Sequence, residues 1–274
     1  MALTLASSGG LQASLLYSFG PDSNNDPRSF TSINTQSSTA VPLYNMNDLN
    51  DGFNGGVTFR QSTGLFYAIL NDSFANSSLI SFKLAGGGAF TNLQGIGTGF
   101  FGGLTFDTSD NNFYAIALDS GGFSTLYKII PGGATTAMFG LGLGFSGGLT
   151  FDPIDGNMYA ISNDSQGNST LNRIALNGSV TALSGTLGTG FLGGVAYDLL
   201  TNTFYALDND SLGNSTLDKI IVSGSSVVSV ATLFSTGAGF VNAGLTEAVP
   251  EPSTLWLLAC GAACWLVGRP SEEL

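Results

Sequence analysis

The chain has 274 residues and carries 7 basic against 19 acidic side chains, a formal net charge of −12. This balance disfavours binding to nucleic acid, or to anionic membranes, through a basic patch. The absence of histidine removes the commonest general base and metal ligand, which excludes Ser-His-Asp, Cys-His and zinc-histidine sites. We expect no nucleic-acid partner and no cofactor.

The N-terminal segment, residues 1–13, contains neither lysine nor arginine, and its apolar run is short. It is not a complete secretory signal, and we interpret it as a signal-peptide remnant whose start lies upstream. Residues 14–248 are then assigned to a repeat domain. In that domain, residues 14–19 (SLLYSF) resemble the third strand of later copies, residues 20–30 are typical of a polar loop, and residues 38–46 resemble a strand that links two copies.

A motif that starts with Gly-Phe recurs along this domain at a spacing of 45 to 49 residues. Four full copies begin at Gly52, Gly99, Gly144 and Gly190, and a shorter one begins at Gly239. Periods of this length indicate one supersecondary unit per copy, with the units stacked side by side.

Each copy predicts four strands, which in the third copy are residues 147–152, 157–161, 169–174 and 179–184. Four antiparallel strands per unit are typical of a β-propeller blade. With half a blade from each terminus, the sequence predicts an all-β, five-bladed propeller closed by both termini. The closing blade lacks a good second strand in this assignment, so an open stack or a four-bladed ring with extra strands is the alternative.

Two further features of the repeat predict its packing. A glycine pair before each first strand suits the crowded propeller axis, because glycine has no side chain to clash. Aromatic pairs on the second strands are expected to fill the space between blades. The glycine pairs are Gly55–Gly56, Gly102–Gly103, Gly147–Gly148 and Gly193–Gly194, and the aromatic pairs are Phe66–Tyr67, Phe113–Tyr114 and Phe204–Tyr205, with Met158–Tyr159 in the third copy.

Acidic residues recur at two places in the repeat. The first strands end at Asp107, Asp152 and Asp198, with Arg60 at this place in the first copy. The Asn-Asp-Ser turns carry Asp72, Asp164 and Asp210, of which Asp164 and Asp210 are the candidate calcium ligands. Their spacing fits no EF-hand or nonapeptide loop, and aspartate also caps turns, so we favour the turn role and predict no metal site.

The similarity of these acids from copy to copy also bears on catalysis. A hydrolase site needs an unequal pair of acids about 5–9 Å apart with pKa values pushed apart. Successive copies carry nearly equivalent acids, so we predict no catalytic residue and a protein that is not an enzyme. The alternative is a propeller hydrolase or lyase that acts on matrix polysaccharide.

The C-terminal segment, residues 249–274, reads VPEPS, an apolar run over 254–268, and then Arg269. This arrangement resembles the sorting tail of PEP-CTERM proteins, with Pro250, Glu251 and Pro252 as the sorting motif. The resemblance implies a bacterial protein that is exported, held transiently in the inner membrane, processed by an exosortase and passed to the cell surface or the exopolysaccharide matrix. The expected partners are therefore the exosortase and inner membrane through the tail, together with polysaccharide or surface proteins.

The apolar run is shorter than the about 20 residues of a usual membrane span. A buried or amphipathic C-terminal helix is the alternative interpretation, but the run is apolar on all sides. Both cysteines, Cys260 and Cys264, lie in it one helical turn apart, where we expect them to serve as small packing residues. The function predicted from the sequence is a non-catalytic surface or matrix propeller that binds carbohydrate or protein.

Overall fold

The computed structural model describes residues 14–21, 27–46, 52–241 and 244–248, and these ranges contain 21 strands and no helix. The predicted signal-peptide remnant, the sorting motif and the apolar C-terminal helix lie outside the described residues. Within those ranges, no helix has the length and apolar character needed to cross a bilayer.

The chain begins with three strands, β1 (Leu15–Pro21), β2 (Pro27–Asn34) and β3 (Thr39–Asn45). Four antiparallel sheets then follow, which we number as blades I to IV. Blade I contains β4 (Val57–Arg60), β5 (Leu65–Asn71), β6 (Asn76–Phe82) and β7 (Phe90–Thr98). Blade II contains β8 (Leu104–Asp107), β9 (Asn112–Leu118), β10 (Phe123–Ile129) and β11 (Thr135–Leu143).

Blade III contains β12 (Leu149–Asp152), β13 (Asn157–Asn163), β14 (Asn168–Ile174) and β15 (Val180–Ala182), and a short β16 (Gly188–Thr189) also pairs with β14. Blade IV contains β17 (Val195–Asp198), β18 (Thr203–Asn209), β19 (Asn214–Ser223) and β20 (Ser226–Ala238). Blade V joins the C-terminal β21 (Leu245–Glu247) to the three N-terminal strands in the order β21-β1-β2-β3. The predicted five-bladed propeller closed by both termini is confirmed.

One strand assignment in the closing blade was wrong. In blade V, β1 pairs with β21, with Leu16 opposite Glu247 and Ser18 opposite Leu245, so residues 14–19 form the second strand and not the third. The third strand is β2, which begins inside the predicted loop. Second and third strands alternate apolar residues alike and pair with each other, so similarity to another copy does not tell them apart.

The blades pack through the aromatic pairs that the repeat predicted. Tyr67 of blade I contacts Phe113 of blade II with ring centroids 4.6 Å apart, and Tyr159 of blade III contacts Phe204 of blade IV at 4.7 Å. The second-strand tyrosine of one blade therefore covers the phenylalanine of the next. These tilted contacts add to the hydrophobic burial that holds neighbouring blades together.

The second glycine of each pair forms a ring around the propeller axis, to which blade V contributes Gly244. A Cβ on Gly148 would lie 2.5 Å from the Val195 nitrogen and 2.6 Å from the Gly194 Cα, and its φ of 98° also suits glycine. Corresponding contacts link each member to the next blade. The ring consists of Gly56, Gly103, Gly148, Gly194 and Gly244.

Candidate functional site

The innermost strands start at the glycine ring and end around a cavity of about 140 Å³, which we call the mouth. Every blade contributes to its wall, because each innermost strand continues past the ring towards this end of the axis. The wall is a mixture of hydroxyl, aromatic and aliphatic groups with one carboxyl group. It is formed by Thr58, Phe59, Gln61, Thr105, Phe106, Thr108, Thr150, Phe151, Pro153, Tyr197, Leu199, Thr246 and Glu247.

The third residue of each innermost strand differs in blade V. Four blades place an aromatic ring there, and β21 places a carboxyl group. These equivalent residues are Phe59, Phe106, Phe151, Tyr197 and Glu247. The fivefold pattern of the mouth is therefore broken at one position by an ionisable group.

Threonine hydroxyls of the mouth connect neighbouring blades. Thr150 accepts a hydrogen bond from the Tyr197 amide at 3.1 Å, and Thr246 accepts one from the Phe59 amide at 3.2 Å. Each hydroxyl satisfies an inner-strand amide that would otherwise lack a partner at the axis. The wall is thus held by hydrogen bonds across the blade boundaries.

In blades I, III and IV the fourth residue of the innermost strand, Arg60, Asp152 or Asp198, interacts with the next blade. The Arg60 guanidinium lies over the Phe106 ring, 4.8 Å from its centroid. Burial and then the Asp152 carboxylate raise the pKa of Tyr197. Asp107 is fully buried, and its Oδ1 accepts hydrogen bonds from the Ser109 amide and hydroxyl, whereas its Oδ2 has no partner among the described residues.

The contact between blades IV and V joins two acids. The pKa of Glu247 is raised to about 8, first by burial and then by the negative charge of Asp198, although the Leu199 amide, which donates to Glu247, acts in the opposite direction. In its protonated form Glu247 hydrogen-bonds Asp198. Two carboxyl groups in contact share a proton more readily than they both ionise.

Asp198 keeps its charge because its other contacts are donors. Burial alone would raise its pKa, but hydrogen bonds from the Ser14 and Thr201 hydroxyls and from the Leu200 and Thr201 amides outweigh burial and lower it. The pair therefore consists of a carboxylate at Asp198 and a neutral acid at Glu247 near pH 7. The repeat does not contain this unequal pair, which is specific to the closing contact.

The two calcium candidates are far from the mouth and serve their turns. Asp164 Oδ1 accepts from the amides of Gln166 and Asn168 at 2.8 and 2.9 Å, and its Oδ2 accepts from the Asn168 side chain at 2.8 Å. Asp210 makes the same three bonds with Leu212 and Asn214. Nowhere in the described ranges do three or more acidic or cysteine side chains form a group suited to a metal ion.

A second acid pair lies inside blade IV and does not line the mouth. Burial raises the pKa of both Asp208 and Asp218, and the charge of Asp218 adds to the shift at Asp208. The Oδ1 atoms of both residues are buried without a hydrogen-bond partner in the described structure. Blade III has Ser162 and Asn172 at the equivalent positions, joined by a hydrogen bond of 2.9 Å.

Glu247 was not among the candidate residues predicted from the repeat. The fifth copy was treated as incomplete, and no acid that differs from its counterparts was found in the four full copies. The signal was present, because GLTE at 244–247 aligns with GLTF at 148–151 and places Glu247 at an aromatic position. The sorting residues Pro250, Glu251 and Pro252 lie outside the described residues.

No known family profile matches this chain, and no curated protein matches it in sequence. Several solved structures share its fold. A chain of the nidogen/laminin complex aligns with a TM-score of 0.53 at 13% identity, over 87% of this chain and 99% of that one. TolB from Acinetobacter baumannii aligns with a TM-score of 0.53 at 12% identity, over 86% of this chain and 66% of the TolB chain.

An engineered GH43 glycoside hydrolase with endo-xylanase and exo-arabinofuranosidase activity also aligns, with a TM-score of 0.53 at 14% identity. The alignment covers 81% of this chain and 51% of the hydrolase chain. At such low identity these similarities concern the fold alone, and the fold hosts both binding proteins and enzymes. The chain is a five-bladed β-propeller of four-stranded antiparallel blades.

Proposed function

We propose that the propeller is a non-catalytic carbohydrate-binding module, and that its tail carries it to the bacterial surface or exopolysaccharide matrix. The proposal rests on the composition of the mouth. This concave site, where all five blades converge, has aromatic edges, threonine hydroxyls and one carboxyl group. A concave site with a few convergent polar groups and a perturbed pKa is the default candidate for ligand binding.

The spacing of the acids favours binding over hydrolysis. Glycosidases hold their two carboxyl groups about 5–9.5 Å apart, which leaves room for the scissile bond and for a nucleophile or water. Glu247 and Asp198 instead hydrogen-bond each other, and Asp198 is buried outside the wall of the mouth. A sugar cannot enter between two groups that are already in contact.

A second candidate function, a propeller hydrolase, is supported by one observation. The pKa of Asp198 is lowered and that of Glu247 is raised, which is the pattern of an acid and a base in many active sites. The GH43 hydrolase shows that this fold supports such chemistry in another protein. In this chain, the contact between Asp198 and Glu247 argues against a hydrolase function.

The proposed location of the protein, at the bacterial surface or in the matrix, rests on the resemblance of residues 249–274 to a PEP-CTERM tail. Expression of the full chain in a bacterium that has an exosortase is expected to place the propeller outside the inner membrane, with the tail processed. Replacement of Pro250, Glu251 and Pro252 by alanine should leave the protein unprocessed in the membrane fraction. Normal processing of that variant would contradict the sorting proposal.

Binding and hydrolysis are separated by two assays on the full chain in mild detergent. A glycan array is expected to show retained saccharides, and incubation with the same saccharides should yield no cleavage products. The matched variant is Thr105→Val, which removes a hydroxyl of the mouth at nearly constant volume and is expected to weaken binding. Turnover that disappears in Asp198→Asn would overturn the binding proposal in favour of the hydrolase.

A further inference from the structure

We infer that the mouth selects a saccharide that carries a free ammonium group, such as the unacetylated amine of a hexosamine. This inference rests on the carbohydrate-binding role proposed above and specifies the ligand of that same site. The supporting features are the ring of aromatic and carboxyl groups at the mouth, the charges around that ring and the small size of the cavity.

The equivalent third positions of the innermost strands provide four aromatic side chains and one carboxyl group around a single cavity. Aromatic rings attract cations, and a carboxylate adds a charge-assisted hydrogen bond to an ammonium group. One of these rings already contacts a cation of the protein, since the Arg60 guanidinium lies 4.8 Å from the Phe106 centroid. With a volume of about 140 Å³, the cavity is suited to one small group of a larger ligand.

The charges nearest the axis at this end are mainly negative. Asp107, Asp152 and Asp198 end the innermost strands, and Asp110 and Asp155 lie in the turns that follow. These carboxyl groups do not line the mouth, but on three blades they lie next in the chain to residues of its wall or in the turn that follows. They favour the approach and retention of a cationic ligand, as does the net charge of −12 of the whole chain.

Among the described residues, the opposing positive charges lie farther out, on third strands or directly after one, and the one exception is on blade I. Lys128 pairs with Asp110 at 2.7 Å, and Arg173 and Lys219 lie on third strands, about 10 Å farther from the axis at 4.8 Å per strand. The exception is Arg60 on blade I, which is held over Phe106 and near Asn111 and Ser62. Next to Glu247 the charged neighbour is Asp198, so the local field favours a positive charge.

A proton is the simplest cation that such a site can hold. Because the pKa of Glu247 is raised to about 8, this carboxyl group is protonated between pH 5 and 7. An ammonium group that donates to the Glu247 carboxylate must displace that proton. As long as the free ligand is fully protonated at its amine, binding is therefore expected to release about one proton and to strengthen by close to tenfold per pH unit.

The test uses isothermal titration of the full chain in detergent with three matched oligosaccharides. These are a tetramer of glucosamine, the same tetramer with every amine acetylated, and cellotetraose. We expect the glucosamine tetramer to bind at least tenfold more tightly than the two neutral ones at pH 5.5, where its amines are protonated. Repeating the titration in buffers with different ionisation enthalpies should show the release of about one proton.

Two variants test whether the amine-selective binding and the proton release arise at the mouth. Glu247→Gln keeps the side-chain shape, and it should abolish proton release and lower the affinity for the glucosamine tetramer about tenfold or more. Arg60→Gln removes the opposing positive charge and should raise that affinity, which keeps the test informative if the first variant folds poorly. Asp164→Asn, in a turn outside the mouth, is the control and should change neither quantity.

The outcomes distinguish the inference from the proposed function. Equal or tighter binding of the neutral tetramers would overturn the ammonium inference and leave the carbohydrate-binding function standing. Absence of binding by all three saccharides and on the glycan array would overturn the proposed function itself. Amine-selective binding that both variants leave unchanged would place the ligand elsewhere and overturn the assignment to the mouth.

Discussion

Glu247 donates a hydrogen bond to Asp198 across the boundary between blades V and IV, so two carboxyl groups touch where the ring closes. Asp198 also accepts a hydrogen bond from the Ser14 hydroxyl. Ser14 leads into β1 and Glu247 ends β21, so one carboxylate of blade IV holds both chain segments that build the closing blade. The same contact adds to the effect of burial in keeping Glu247 neutral near pH 7, and it contributes to the closure of the propeller.

Replacement of Glu247 by glutamine is expected to change how stability depends on pH. The folded protein keeps a proton on Glu247 up to about pH 8, whereas an unfolded chain releases it near the ordinary value of 4.5. The wild type therefore loses stability as pH rises from about 5 through 8, and the variant does not. At pH 8.5 we expect the variant to be more stable by roughly 2 kcal/mol, less than the full shift implies because Glu247 is partly exposed.

Urea unfolding at pH 5, 7 and 8.5 measures this difference. The control is Asp164→Asn, whose stability relative to wild type should not rise with pH over the same interval. Parallel curves for wild type and Glu247→Gln would show that Glu247 titrates normally and that the carboxyl contact is absent in solution.

Replacement of Ser14 by alanine tests the N-terminal half of the closure. The variant removes a hydrogen bond to a buried carboxylate, a loss of about 1.5–3 kcal/mol in unfolding free energy. The Ser14 bond lowers the pKa of Asp198, so its contribution is present above the unfolded pKa and is lost as pH falls through the folded one. The deficit of the variant should thus be largest near neutral pH and smaller in acid.

Urea unfolding of Ser14→Ala at pH 7 and at about pH 2, below the ordinary aspartate range, measures that deficit, with Ser179→Ala in an exposed turn as the control. An equal deficit at both pH values would mean that the hydroxyl stabilises the protein without acting on the charge of Asp198.

The repeat made much of the fold predictable. Gly148 and the Tyr159–Phe204 contact could be anticipated because glycine and tyrosine recur at these places in all four full copies and phenylalanine in three. The position of β1 could not, because second and third strands share their alternation. Glu247 was missed for a related reason: its copy is short, and its contact with Asp198 exists only once both termini have closed the ring.

Replacement of Gly148 by alanine is expected to disrupt the axis. The new Cβ would lie 2.5 Å from the Val195 nitrogen, and the positive φ adds strain of about 1–2 kcal/mol. Because each ring glycine contacts the next blade, no member can move without displacing another. We expect a total loss of about 3–5 kcal/mol in unfolding free energy.

Gly140 on β11 is the matched control, since a Cβ there would meet nothing within 4 Å and its φ is not positive. Gly140→Ala should leave the unfolding midpoint almost unchanged. If Gly148→Ala were as stable as Gly140→Ala, the ring would not be the close contact that the structure describes.

Replacement of Asp164 by alanine tests the turn role against the calcium role. Hydrogen bonds from Asn168 and Gln166 lower the pKa of Asp164, so the turn is stabilised above the usual aspartate range and weakened as pH falls. The variant is expected to show a lower Tm than wild type at pH 7 and a smaller difference at pH 3. Addition of millimolar CaCl₂ should shift neither protein, and a calcium-induced rise confined to the wild type would establish a metal site.

The last prediction concerns Asp208 and Asp218, which can be replaced by the pair that blade III already uses. The double variant Asp208→Ser and Asp218→Asn copies Ser162 and Asn172, where the amide donates to the hydroxyl at 2.9 Å. Asp218 is only 2% exposed and leaves one oxygen without a partner, as does Asp208. Burying two acids in this way costs stability whenever either one is ionised.

Because the folded pKa of both acids is raised, the wild type loses stability as pH rises through those values. The double variant should therefore have a higher Tm than wild type at pH 7.5 and a smaller advantage at pH 4, where a larger fraction of both acids is protonated. Differential scanning calorimetry at the two pH values measures the effect. The single variant Asp218→Asn should give part of the gain, since it removes the negative charge that raises the pKa of Asp208. A double variant that is less stable than wild type at pH 7.5 would mean that the two aspartates bind something in the folded protein that serine and asparagine cannot hold.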